Sequence, residues 1–149
     1  MVASPIFETS ILQEPASSMP SRKALVHSQD TAVATALATM RYVGCSSVIV
    51  TRTGKEDSVL IGIFTERDVV SRVIDRPGEL ALLPLSEVMT PDPVVGTQDT
   101  TLAWLLHSMS NKGMRHIPIV DSNQFPLYVI SMRDIVTLLV DSFPAGAVE

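Results

Sequence analysis

Two stretches, Gly62-Ile63-Phe64-Thr65-Glu66-Arg67-Asp68-Val69-Val70 and Val129-Ile130-Ser131-Met132-Arg133-Asp134-Ile135-Val136, share one pattern. An apolar run ends at a hydroxyl residue, an aspartate follows three positions on, and a new apolar run begins. The spacing between them is 66 residues. Upstream the correspondence continues at a spacing of 69: Asp30-Thr31 matches Asp99-Thr100, and Leu37, Met40 and Gly44 match Leu106, Met109 and Gly113. The change reflects a longer loop around Thr53-Gly54-Lys55-Glu56-Asp57 than around Ser122-Asn123-Gln124. A chain that repeats its punctuation in order is built from two copies of one supersecondary unit.

Each copy reads β-α-β-β-α. Val33, Ala36, Leu37 and Met40 form one helical stripe over residues 31–42, as do Leu102, Leu105, Leu106 and Met109 in copy two. Gly44 and Gly113 are suited to the left-handed cap that stops each helix. Strands are expected at 47–50 and 59–64, and again at 117–120 and 127–130. Closing helices are expected near 66–74 and 132–139. The resulting division is an extension (1–22), motif 1 (23–75), a connector (76–84), motif 2 (85–141) and a tail (142–149). The extension, with Pro5, Pro15 and Pro20 and no periodicity, is expected to be loose or to wrap the domain. A unit of about 55 residues buries too little surface alone, so the copies should pack sheet to sheet about a pseudo-twofold axis. Clefts where such halves meet are usual places for small ligands.

Composition narrows the function. The chain has 149 residues, 46% of them apolar and 18% charged, enough for a packed core and unlike a disordered tail. A net charge of −5 argues against non-specific nucleic-acid binding. The single cysteine, Cys45, excludes an internal disulfide, and no Cys/His spacing suits zinc. There is no membrane-length apolar run and no basic-then-apolar leader, so a soluble, cytoplasmic protein is expected. Neither a catalytic triad nor a P-loop can be argued from local spacing, and no enzymatic activity is expected.

Thr65-x-x-Asp68 and Ser131-x-x-Asp134 are the best candidates for function. A hydroxyl residue followed three positions on by an acid can be a capping box that satisfies orphan helix N–H groups. The same pair can also line a nucleoside-phosphate site, the helix start attracting phosphate and the carboxylate accepting ribose hydroxyls. Both readings remain open on sequence, and one residue can serve both. His27 and His107 read as surface or edge residues, and Cys45 as a small hydrophobe.

The repeat, together with Gly62-Ile63-Phe64-Thr65-Glu66-Arg67-Asp68, Val88-Met89-Thr90-Pro91 and Arg115-His116-Ile117-Pro118-Ile119-Val120-Asp121, resembles a tandem pair of cystathionine-β-synthase (CBS) domains, a Bateman module. The resemblance spans about Lys23 to Asp141. It implies an α/β regulatory module that binds AMP, ADP, ATP or S-adenosylmethionine in interdomain clefts and signals to a partner protein, with no catalytic cofactor. It also implies ribose contacts from Asp68 and Asp134, and contacts near ribose and phosphate from Thr65 and Ser131. Adenine packing and phosphate contacts fall to the segment before the first core strand, Arg115, His116, Ile117 and Pro118 in copy two. Copy one offers Cys45-Ser46-Ser47-Val48-Ile49 there, Ser47 and Val48 being the candidate contacts, with neither the basic pair nor the proline, so the two sites should be unequal. Arg67 and Arg133 are either phosphate contacts or exposed helix-start arginines. Trp104 lies about 160° from the apolar stripe of its helix. It is either covered by the extension or part of a homodimer interface, since such modules commonly pair through these helices. A ligand-free scaffold or oligomerisation module is the alternative.

Overall fold

The computed structural model describes residues 9–20 and 22–143. The first eight residues, Ser21 and the tail from 144 onward, where parts of the expected extension and tail fall, lie outside the described residues.

Copy one consists of β1 (Val26–Ser28), α2 (Val33–Val43), β2 (Ser47–Thr51), β3 (Leu60–Thr65) and α3, the single turn Glu66–Asp68. A short α1 (Thr9–Leu12) precedes it, and β4 (Thr90–Pro91) lies in the stretch that leads to copy two. Copy two contains α4 (Leu102–Lys112), β5 (His116–Val120), β6 (Pro126–Ser131) and α5 (Met132–Ser142). Strands β1-β2-β3-β4 form one sheet, with β1 parallel to β2 and the other pairs antiparallel. Strands β5 and β6 form an antiparallel hairpin. In copy two the leading strand is reduced to a parallel bridge between Gly96 and Ile119, the counterpart of the β1–β2 pairing.

Both helices end as the glycines require. Gly44 and Gly113 take φ of 77° and 72°, and their N–H groups donate to the Met40 and Met109 carbonyls. In the closing segment of copy one, α3 runs into a wider turn over Val69–Val73, with Ile74 N donating to Val69 O at 3.0 Å. The regular helix expected there is therefore interrupted, and the equivalent stretch of copy two is the continuous α5.

Strand β2 is buried on both faces. Val48 and Val50 join Val33, Ala36 and Met40 in one core, while Ile49 and Thr51 on the opposite face are buried too. In β5, Ile117 and Ile119 join Leu102, Leu105 and Met109 in a second core, and Pro118 and Val120 fill the other face. A sheet with helices on one face buries the second face only against another layer, and here the two copies pack sheet to sheet.

The two leading segments exchange places. Pro15-Ala16-Ser17 docks on copy two: Ala16 N donates to Thr100 O (2.7 Å), Ser17 N to Gln98 O (3.0 Å), and Leu102 N to Glu14 O (2.9 Å). Pro84-Leu85-Ser86 docks on copy one with the same pattern shifted by 69 residues: Leu85 N to Thr31 O (2.9 Å), Ser86 N to Gln29 O (2.9 Å), and Val33 N to Leu83 O (2.7 Å). Each segment thereby caps the helix whose first N–H groups lack intrahelical partners. Ala16 and Met19 are buried in the core of copy two, and Leu85 and Val88 in that of copy one. The described part of the expected extension is thus an integral part of the second core.

Candidate functional site

The antiparallel register of β5 and β6 sets His116 directly opposite Ser131. Cross-strand partners point to the same face, so His116 stands beside the start of α5. There Ser131 N donates to Asp134 Oδ2 (3.0 Å) and Asp134 N donates to Ser131 Oγ (3.1 Å), a reciprocal capping box. His116 Nε2 reaches across the copies to Ser46 Oγ at 2.8 Å. Burial lowers the pKa of His116 below its ordinary value; Glu66, Asp134 and Asp68 oppose that shift and Arg115 adds to it. The imidazole is accordingly neutral near pH 7.

These groups line a cleft of about 640 Å³ between the copies. Copy two contributes His116, Val129, Ser131, Arg133 and Asp134; copy one contributes Ala24, Leu25, Met40 and the turn Gly44-Cys45-Ser46-Ser47. Although the chain is acidic overall, Arg22, Lys23, Arg41 and Arg133 line this cleft against Glu66 and Asp134. Lys23 is paired with Glu56 (2.9 Å), and Arg22 Nη1 donates to Gly44 O at 3.3 Å. Asp134 is exposed, so its carboxylate is open to a ligand in addition to its capping bond.

Asp68, at the equivalent position, is only 5% exposed. Its Oδ2 accepts from Thr65 N (2.9 Å) and Thr65 Oγ1 (3.3 Å), and its Oδ1 accepts from Thr90 Oγ1 (3.2 Å). Arg72 Nε lies 3.8 Å from the same Oδ1, and Arg72 Nη1 donates to Met89 O at 2.7 Å. The carboxylate ties α3 to β4. Arg67 is also occupied, donating from Nη1 to the carbonyl of Gly113 in copy two.

Among the residues singled out from sequence, the fold brings Ser47, His116, Ser131, Arg133 and Asp134 to one cleft. Thr65 and Asp68 belong to the separate cluster just described, and Arg67 is held by the Gly113 carbonyl of copy two. Val48 lies in the first core, and Ile117 in the second, with Pro118 buried beside it. Arg115 is exposed and its carbonyl accepts Met132 N at 2.8 Å. Trp104 is 45% exposed although α1 packs against α4. The lining residues that sequence reasoning missed, among them Arg22, Leu25 and Arg41, come from a segment before β1 and from the end of α2. Gly44 was the available signal, since a chain reversing there must place its neighbours at the strand end.

A family model for the CBS domain matches residues 16–75 and 85–141. The chain belongs to the CBS-domain family. It is a tandem pair, and its first match begins at residue 16, within the leading segment docked on copy two. A CBS domain-containing protein of Arabidopsis thaliana is 35% identical over 86 residues, covering 58% of this chain and 15% of that protein. The chain thus spans only a small part of that relative. A CBS domain protein from Pyrobaculum aerophilum, solved in complex with AMP, superposes with a TM-score of 0.73 at 16% identity, covering 85% of this chain and 98% of that one. The CBS domain pair of protein MJ0100, in complex with 5′-methylthioadenosine and S-adenosyl-L-methionine, also gives 0.73 at 16% identity, over 85% and 96% of the two chains. No described helix is long and apolar enough to cross a membrane.

Proposed function

We propose that this CBS pair is a non-enzymatic regulatory module that binds an adenosine-containing ligand in the cleft of Ser131 and Asp134. The observation that carries this reading is the cleft itself. An exposed carboxylate and a helix N-terminus from copy two face a wall from copy one, with cations around them. The Asp134 carboxylate accepts ribose hydroxyls, and Ala24, Leu25 and Val129 supply an apolar surface for adenine. The N-terminus of α5 with Arg133, Arg22 and Arg41 attracts phosphate. Binding of AMP and S-adenosyl compounds by proteins of the same fold supports the ligand class. The equivalent carboxylate, Asp68, already has its partners in Thr65, Thr90 and Arg72, and acts structurally.

A ligand held by both copies favours one arrangement of them. A protein partner with different affinity for the two arrangements reads that choice. Val70 and Ile74 in copy one and Val136 and Val140 in copy two are exposed at positions related by the 66-residue spacing. Together with Trp104 they suit pairing of two chains into a homodimer.

Calorimetric titration of nucleotide-stripped protein with AMP, ADP, ATP and S-adenosylmethionine tests the reading. Saturable binding that disappears in Asp134→Ala is expected. No heat with any of them up to millimolar concentration rejects the sensor in favour of a ligand-free scaffold.

A further inference from the structure

His116 is placed to respond to the charge of whatever enters the cleft. Its ring is partly buried, lies opposite Ser131, and holds copy one through Ser46 Oγ. The charged groups around it come from several elements: Glu66 and Asp68 from α3, Asp134 from α5, and Arg115 from the residue before β5. Arg22, Lys23 (paired with Glu56), Arg41 and Arg133 line the same cleft. These groups do not provide enough negative charge to offset the cost of burying an imidazolium, and the pKa falls below the ordinary 6.5.

We propose that His116 couples ligand charge to protons: a phosphate-bearing adenosine ligand draws a solvent proton onto the imidazole, whereas the uncharged nucleoside does not. The inference rests on the adenosine-ligand reading above. A phosphate adds negative charge and acceptor oxygens beside a ring that, among the described residues, has the Ser46 hydroxyl as its hydrogen-bonded side-chain partner. The imidazolium has two N–H donors, so it can donate to the phosphate without giving up Ser46. Binding then takes up a proton. By linkage, affinity rises as the pH falls between the pKa of the occupied cleft and that of the empty one. The neutral nucleoside gains nothing from the same titration, and a sulfonium ligand opposes it. The cleft thereby discriminates by charge, and more strongly in mildly acidic solution.

The test is calorimetry of the full chain with AMP and with adenosine, in buffers of different ionisation enthalpy at pH 6.5 and 7.5. His116→Gln, which retains a group able to bond Ser46, is measured in parallel. The ionisation of free AMP, whose phosphate has a second pKa of about 6, is common to both titrations, so the difference between the two proteins reports the protons that His116 and the phosphate beside it take up or release together. The native protein should take up about half a proton more than the variant on binding AMP, and none with adenosine. Its AMP affinity should gain about threefold over the variant's between pH 7.5 and 6.5. The ring signal of His116 in a proton NMR titration should move to a higher midpoint when AMP is bound. Equal proton counts in the two proteins, equal uptake with adenosine, or an unmoved midpoint overturns the coupling while leaving the binding site intact. Failure of the native protein to bind AMP, ADP or ATP overturns the coupling, and failure with S-adenosylmethionine as well overturns the site.

Discussion

Asp68 and Asp134 hold equivalent positions in the repeat, yet replacing each by alanine should damage different properties. Asp68→Ala removes a buried carboxylate that accepts three hydrogen bonds, from Thr65 N, Thr65 Oγ1 and Thr90 Oγ1, and faces Arg72. Hydrogen bonds to a charged acceptor contribute about 1.5–3 kcal/mol each in isolation, and less when they share one group. The half-exposed Arg72 pair adds little. A loss of about 3 kcal/mol follows, or roughly 9 °C in Tm for a chain of this size. Asp134→Ala removes one exposed capping interaction with Ser131, a loss of about 1 kcal/mol or roughly 3 °C. Ligand at a hundred times its Kd should raise stability by about 2.7 kcal/mol, roughly 8 °C, in the native protein and in Asp68→Ala alike. It should do nothing for Asp134→Ala. Differential scanning fluorimetry with and without AMP measures all six values. Equal losses of Tm in the two variants, or a ligand shift lost with Asp68 and kept with Asp134, would refute the assignment of a structural role to one and a binding role to the other.

Two further outcomes follow from the packing and the histidines. Met19→Ala opens space in the core of copy two, so unfolding in urea should show a loss of about 2–3 kcal/mol; a change under 0.5 kcal/mol would mean that the leading segment is not part of that core. His27, which bonds Thr39 Oγ1 at 2.9 Å, and His116 both have pKa values lowered by burial, so the folded chain binds fewer protons than the unfolded one. Stability without ligand should therefore be full above about pH 6.5 and decline as the pH falls below it. Urea midpoints from pH 7.5 to 5.0 measure this, and His27→Gln and His116→Gln should each flatten the decline.

Much of the architecture was legible because it is decided locally. The stripes of Val33–Met40 and Leu102–Met109 can bury one face only as helices, and Gly44 and Gly113 stop them at φ values that other residues rarely adopt. The repeat was legible for the same reason, since identical local physics needs identical punctuation. The leading segments were harder to read. Pro15-x-Ser17 matches Pro84-x-Ser86 at the spacing of 69, but a pattern so short and without periodicity does not announce a partner. Their exchange depends on backbone groups of Thr100, Gln98, Thr31 and Gln29, which every sequence possesses.

The sequence by itself determined that there are two copies, where the long helices and the paired core strands lie, and that each copy presents a hydroxyl residue and an aspartate at a helix start. The tertiary structure alone decided which aspartate faces the cleft. Thr90 and Arg72 close around Asp68, whereas Asp134 opens beside Gly44, Ser46 and Arg41, contributed by the other copy. Neighbours along the chain set backbone conformation through short-range sterics and burial period. The environment of a carboxylate is set by residues distant in sequence, and only the packing of one copy on the other brings them together.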